Sequence, residues 1–335
     1  NKLREDVFII IEPVIIENAY DLIGSSISMI FEKGWSKEKS LLDSLNLNLK
    51  RDIQYKNTTC GPHRADIRVV LEAGTAKDFV SRGQQKLLAC ALITASVEIV
   101  QMYNDKPLLL LVDDPKALER IFKYAPTIFL THCEDSPMIC ESEQKAREIY
   151  GEDVPFSMHP VIRSADACLK SSQFAVNLAS HYDALLHVLH LTTAIEMNLF
   201  NSNHRSKKRI TAEACVHHLW FDESKYEDLG SKIKCNPAIK GKEDRQAIIS
   251  ALNDKRIDVI ATDHAPHTAL EKEGKYFETP AGLPLVQHAL QILFDLSARN
   301  EISPELIVDR ACHAPADIFG ISERGYVREG WFADL

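Results

Sequence analysis

Residues 257–267 read IDVIATDHAPH. The run IDVIATDH (257–264) is strand-like, and it places Asp263, His264 and His267 at its end. Two earlier runs end in the same manner. TIFLTHC (127–133) brings His132 to its end, and LLHVLHLT (185–192) brings His187 and His190. Another strand-like run, KRITAEACV (208–216), comes before the last. Helix-like segments alternate with these runs, and that alternation predicts a parallel α/β architecture. Parallel α/β barrels carry their chemistry at the carboxyl ends of the strands.

A lone histidine at a strand end is more often a hydrogen-bonded polar residue than a ligand. Three such ends in one chain, one of them D-H-A-P-H, reverse that preference. Imidazole nitrogens and a carboxylate suit Zn2+. His187 and His190 are three apart, so on a strand they point to opposite faces and at most one can face a shared bore.

The segments HCED, HP-x-IRS, LHVLHLTTA, RITAEACVHHLWFD, KCNPAIK, IDVIATDHAPHT, PAGLPLVQHAL and REGWFADL together resemble dihydroorotase of the amidohydrolase superfamily. The resemblance runs from about residue 111 to 335. It implies the C-terminal part of a (β/α)8 TIM barrel, strands five to eight. It also implies a hydrolase acting on a cyclic amide, interconverting N-carbamoyl-L-aspartate and dihydroorotate in pyrimidine biosynthesis. Carried onto this sequence, it makes His132, His190 and Asp263 the Zn2+ ligands. Asp263 is also the catalytic carboxylate that shuttles a proton. Asn236, His267, Ala281 and Gly282 fall at substrate-binding positions. Arg163, His217 and His218 are motif residues expected to have no ligand role.

The same family opens with an H-x-H pair on its first strand and a bridging ligand on its fourth. This chain has no H-x-H, and His63 is its only histidine before residue 115. The expected metal site is therefore partial, and the half-barrel is expected to be inactive alone.

The first third reads differently. TTCGPHRADIRVVLEAG predicts a turn at Gly61-Pro62 and then a strand. SRGQQKLLACALITASVEIVQMY predicts a long helix with Ser81 near its N-cap. PLLLLVDDPKALERIF (107–122) predicts a buried strand ending in Asp113 and Asp114, then a helix begun by Asp114-Pro115. GPHRADI, VSRGQQKLL and a strand ending in VDD closely resemble the C-terminal part of RecF, the recombination-repair ATPase of the ABC/SMC type. That implies an α/β fragment of an ABC-type ATPase head, with ATP, Mg2+ and DNA as associated partners. Ser81, Arg82, Gly83, Gln84, Asp113 and Asp114 would be its nucleotide-associated residues. The phosphate-cradling G-x-x-x-x-G-K-[ST] loop is absent from the sequence, so autonomous ATPase activity is not expected. The letters LVDD suit both resemblances, which marks them as a junction. The expected domains are 1–114, RecF-like, and 115–335, dihydroorotase-like.

Composition agrees with an ordinary globular protein. The 335 residues suffice for two domains or one large barrel, and the net charge of -9 gives no bulk attraction to nucleic acid. No apolar run approaches the ~20 residues of a membrane helix. The opening NKLREDVFIIIEP has no initiator Met and no signal-peptide pattern, so Asn1 reads as an internal cut in a longer chain. The eight cysteines are scattered without a C-x-x-C pair. That pattern predicts a reducing, cytoplasmic setting and argues against a disulfide framework or a thiolate zinc site. Three readings stay open: a dihydroorotase-like zinc enzyme, a RecF-like repair module, and a chimera of two truncated genes without activity.

Overall fold

The computed structural model describes residues 2–71, 74–76, 85, 88–89, 91–93, 95–96, 109–111, 122 and 127–332. The chain forms two compact units, residues 1–105 and 106–335. No helix among the described residues is long and apolar enough to cross a membrane.

The first unit holds helix α1 (Lys2–Ile23), strand β1 (Ser28–Glu32), helix α2 (Leu41–Tyr55) and strands β2 (Asp66–Leu71) and β3 (Gly74–Thr75). Its sheet is antiparallel in the order β1-β2-β3, with Ser28 opposite Val70 and Glu32 opposite Asp66. Ser40 caps α2 by accepting the Asp43 amide at 3.1 Å. The predicted long helix is helical at its described positions, and Leu88, Ala91 and Ala95 bury with Phe8, Ile15, Ala19 and Met29 in one apolar cluster. The helix start at Ser81 and the Asp114-Pro115 start lie outside the described residues.

The second unit is built on a five-stranded parallel sheet: β4 (Leu109–Leu111), β5 (Ile128–Thr131), β6 (Leu186–Val188), β7 (Ile210–Cys215) and β8 (Val259–Ala261), adjacent in that order. All four runs expected to be strands are strands, each shorter than its apolar stretch. Four strands were expected here, and the sheet has a fifth. The LLLL run, read as the end of the RecF-like part, pairs in parallel with β5, Leu110 opposite Phe129. Phe129, Leu186, Val188, Ala212 and Ala214 are fully buried, as strands covered on both faces require. Phe122 stacks on Phe129 with ring centroids 4.5 Å apart.

Helices α3 (Ser136–Tyr150) and α4 (Ala165–Tyr182) join β5 to β6, and α5 (Val216–Trp220) and α6 (Lys242–Asn253) join β7 to β8. Asp135 of the HCED segment caps α3 by accepting the Met138 amide at 3.0 Å, with Pro137 in the first turn. Ser164 of IRS caps α4 in the same way, accepting the Ala167 amide at 3.2 Å. Several letters of the quoted motifs thus begin helices.

Candidate functional site

His132 and His190 follow the carboxyl ends of the neighbouring strands β5 and β6. His132 Nδ1 lies 3.0 Å from His190 Nε2, and the rings meet edge to face. His190 has φ 36 and Asp263, after β8, has φ 46. Seven non-glycine residues have positive φ among the described residues. Lys56 and Asp183 of these end helices, whereas His190 and Asp263 end strands at the expected site. Strained backbone of this kind persists where surrounding structure enforces it, often at functional sites.

Glu134 supports His132. His132 Nε2 donates to its carboxylate at 2.9 Å, and Arg163 donates to the same oxygen. Burial alone would raise the Glu134 carboxyl, but the His132 hydrogen bond and the Arg163 charge outweigh it and hold the group below its ordinary value. Arg163, expected to be a motif residue without a ligand role, therefore fixes the carboxylate that orients His132. With Nε2 donating, His132 Nδ1 is left as a lone-pair donor facing His190.

His187 does not share that face. It is wholly buried, with Nδ1 2.8 Å from Thr211 Oγ1 and Nε2 3.2 Å from Glu213 Oε2. Glu213 also accepts the His190 backbone N–H at 3.4 Å. Burial pushes the His190 imidazole down to about 3, with His132 and His218 adding to the effect. Its Nδ1 is buried without a hydrogen-bond partner. Asp263 is exposed at the rim, yet loss of solvent on its inner side and the Glu213 carboxylate raise its carboxyl, against the pull of His132.

The expected substrate positions gather around one turn. His267 Nε2 lies 3.1 Å from the Ala281 carbonyl, and the Gly282 amide donates to Lys234 O at 2.8 Å. Gly282 has φ 137, and a Cβ there would sit 2.6 Å from both the Cβ and the carbonyl oxygen of Ala265. Only glycine fits that approach. Lys272 Nζ donates to Pro280 O at 2.9 Å, and Lys234 Nζ donates to Thr279 O at 2.7 Å. The CNPAIK loop is fixed from below, where His159 bridges Tyr276 Oη and Cys235 O at 2.7 Å each. Asn236 Oδ1 is buried without a partner in that loop. His264 Nδ1 accepts the Leu285 and Val286 amides, at 2.9 and 3.0 Å, which ties the strand end to the same turn.

The donor chemistry fits a Zn2+ ion in part. Tetrahedral zinc with Zn–N of about 2.0–2.1 Å sets its nitrogens roughly 3.3 Å apart, and the His132–His190 separation of 3.0 Å is close to that. Asp263 does not close a tight triple with them. Among the described residues, the only three donors whose atoms all lie within 4.8 Å of one another are Cys215, His217 and His218. Sequence reasoning gave the two histidines no ligand role and missed Glu134 and Glu213 as supports. Ser81, Arg82, Gly83, Gln84, Asp113 and Asp114 lie outside the described residues. His63, in the first unit, lies with Nε2 3.0 Å from Thr58 O.

No protein-family model matches the chain. A dihydroorotase of Halobacterium salinarum is 34% identical over 173 residues, 52% of this chain and 40% of that protein. A dihydroorotase of Bacillus cytotoxicus is 33% identical over 211 residues, 62% of this chain and 47% of that protein. One from Methanosphaera stadtmanae is 30% identical over 66% of this chain and 51% of its own length. The chain spans about half the length of the curated relatives it matches. Among solved structures, dihydropyrimidinase from Brevibacillus agri superposes with a TM-score of 0.65 at 20% identity, covering 72% of this chain and 56% of that one. L-hydantoinase from Arthrobacter aurescens gives 0.63 at 18% identity, over 71% and 57%. Over about 70% of the chain the fold is therefore shared with part of these α/β structures, and part of the sequence is similar to dihydroorotases.

Proposed function

We propose that the second unit is the C-terminal half of a dihydroorotase-like zinc amidohydrolase, acting on dihydroorotate and N-carbamoyl-L-aspartate. The observation that carries this reading is the approach of His132 Nδ1 to His190 Nε2 at the ends of consecutive parallel strands, in a stretch similar to dihydroorotases.

His132, His190 and Asp263 would hold Zn2+, which when bound supplies Lewis acidity toward the amide carbonyl. Glu134, held ionised by His132 and Arg163, keeps the His132 ring turned with Nδ1 toward the site. Asp263, whose carboxyl is raised by loss of solvent and by Glu213, takes a proton from the attacking water and returns it to the departing ring nitrogen. The water oxygen bonds the carbonyl carbon as the ring C–N bond breaks. Asn236, His267 and the Ala281–Gly282 backbone orient the ring and carboxylate of the substrate.

The sequence supplies no H-x-H pair, so we propose that the unit does not turn over by itself. For the first unit, the RecF-like reading is kept as a proposal of ancestry alone, with ATP hydrolysis absent. The test is dihydroorotate hydrolysis with added Zn2+, with the full chain alone and then mixed with the N-terminal half of the Bacillus cytotoxicus relative. No turnover alone and measurable turnover on mixing is the expected result. Turnover by the chain alone would overturn the incomplete site, and no turnover in the mixture would overturn the dihydroorotase-like reading.

A further inference from the structure

At the carboxyl end of β7, beside the expected site, lies a second group of donors. Cys215 ends the strand and His217 and His218 stand in the first turn of α5. One ligand atom from each lies within 4.8 Å of the other two. All three residues are buried, at 0, 1 and 2% exposure. The two imidazole rings lie with centroids 4.0 Å apart.

Two details go beyond mere proximity. Both ring nitrogens of His217 are buried without a hydrogen-bond partner, and so is His218 Nδ1. A buried polar atom left in that state is costly and calls for a partner. The His218 ring is also fixed. Its Nε2 lies 3.0 Å from the Pro237 carbonyl, which can only accept, so Nε2 carries the hydrogen and Nδ1 keeps its lone pair. A metal-bound histidine is held in the same way, its second nitrogen donating to a carbonyl.

We propose that Cys215, His217 and His218 form a buried binding site for a zinc-like transition metal ion, through one thiolate and two imidazole nitrogens. The site rests on these residues alone and stands whether or not the dihydroorotase-like reading holds. Mixed sulfur and nitrogen donors suit Zn2+ and Co2+ over Mg2+ or Ca2+. Tetrahedral coordination asks for donor separations of roughly 3.3–3.6 Å, and the three atoms lie within 4.8 Å of one another. Binding displaces the Cys215 thiol proton, which leaves to solvent as the sulfur bonds the ion. The burial of all three side chains makes loading part of folding and exchange slow. The ion would tie the last residue of β7 to α5, and so brace the turn next to His190.

The test is Co2+ titration of the full chain during refolding, read by the intense near-ultraviolet charge-transfer absorption of a thiolate–cobalt bond. Histidine and carboxylate donors alone do not give that absorption. A saturable band is expected in the wild-type chain, in His190→Ala, and in a Cys140→Ala/Cys312→Ala control lacking both cysteines exposed among the described residues. Cys215→Ser should lose the band. His217→Gln, which keeps the thiol, should weaken cobalt binding at least tenfold, so the proposal does not hang on one variant's folding. No band in the wild-type chain would overturn the proposal, as would a band that survives Cys215→Ser. Loss of the band in His190→Ala would show that the donors belong to the rim site instead.

Discussion

The two ends of the parallel sheet bury polar groups in opposite ways. At the amino ends of β7 and β8, Lys208 and Asp258 form a pair, each side chain 1% exposed, at 2.8 Å. Lys208 Nζ also donates to the Lys255 carbonyl at 2.7 Å, and Asp258 accepts the Ala212 amide at 3.2 Å. Burial pushes Lys208 down and Asp258 up, and each partner pulls the other back toward charge. At the carboxyl ends, Glu134 Oε1, His190 Nδ1, both nitrogens of His217, His218 Nδ1 and Asn236 Oδ1 are buried without partners. One edge pairs its buried charges and serves stability, with Arg310 Nε an unpartnered atom near the pair; the other leaves a cluster of buried polar atoms without partners beside the expected ligands. Parallel α/β barrels divide stability and chemistry between their two faces in a comparable way.

The largest expected effect breaks the charge pair of the amino edge. Asp258→Ala leaves the Lys208 ammonium buried and unpaired, which should cost about 3–5 kcal/mol in chemical denaturation. A cost below about 1 kcal/mol would show that the pair is solvated and the edges are alike.

A pH effect comes next. Burial holds the His159 imidazole down to about 3, against 6.5 when exposed, so the folded state keeps it neutral where the unfolded chain binds a proton. Its contribution to stability is complete above about 6.5 and is lost as pH falls toward 3. This histidine alone gives a slope of up to about 1.4 kcal/mol per pH unit in that window. Unfolding midpoints measured from pH 8 to 4 should fall, and His159→Gln should flatten the fall. A wild-type curve level across that range would contradict the buried neutral ring.

A smaller effect is expected at the substrate turn. Gly282→Ala sets a Cβ against Ala265 and demands an unfavourable φ, at about 1–3 kcal/mol. It should also weaken dihydroorotate binding in the mixed enzyme more than that strain explains, because the turn's backbone is displaced. The smallest effect is on stability at the carboxyl edge. His190→Gln keeps most of the buried volume and an amide facing His132 while removing the unpartnered ring nitrogen, so it should shift stability by no more than about 1 kcal/mol, while abolishing Zn2+ uptake at the rim.

Much of the parallel sheet and half of the rim were legible in the sequence. Apolar runs of strand length gave β5 to β8, and His or Asp just past three of them marked the rim. The pairing of Leu109–Leu111 with β5 was not legible, since an all-apolar run carries no information about its neighbour. Glu134 and Glu213 escaped notice because carboxylates are common and their role depends on what lies across the strand. The Cys215, His217 and His218 group was discounted because scattered cysteines and adjacent histidines lack the usual ligand spacing. The strand-to-helix turn at residue 216 brings these donors together, and sequence distance says nothing about that turn. The left-handed conformations of His190 and Asp263 are likewise set by tertiary packing.

The contrast between the two edges is tested most directly by one crossed measurement. Zn2+ uptake at the rim and unfolding free energy are measured together on Asp258→Ala and His190→Gln, each in the Cys215→Ser/His217→Gln background so that rim binding dominates the reading. Asp258→Ala should lose stability and keep the ion, and His190→Gln should keep stability to within about 1 kcal/mol and lose the ion. If both variants lose stability and zinc alike, the two edges form one cooperative structure and the division between them is wrong.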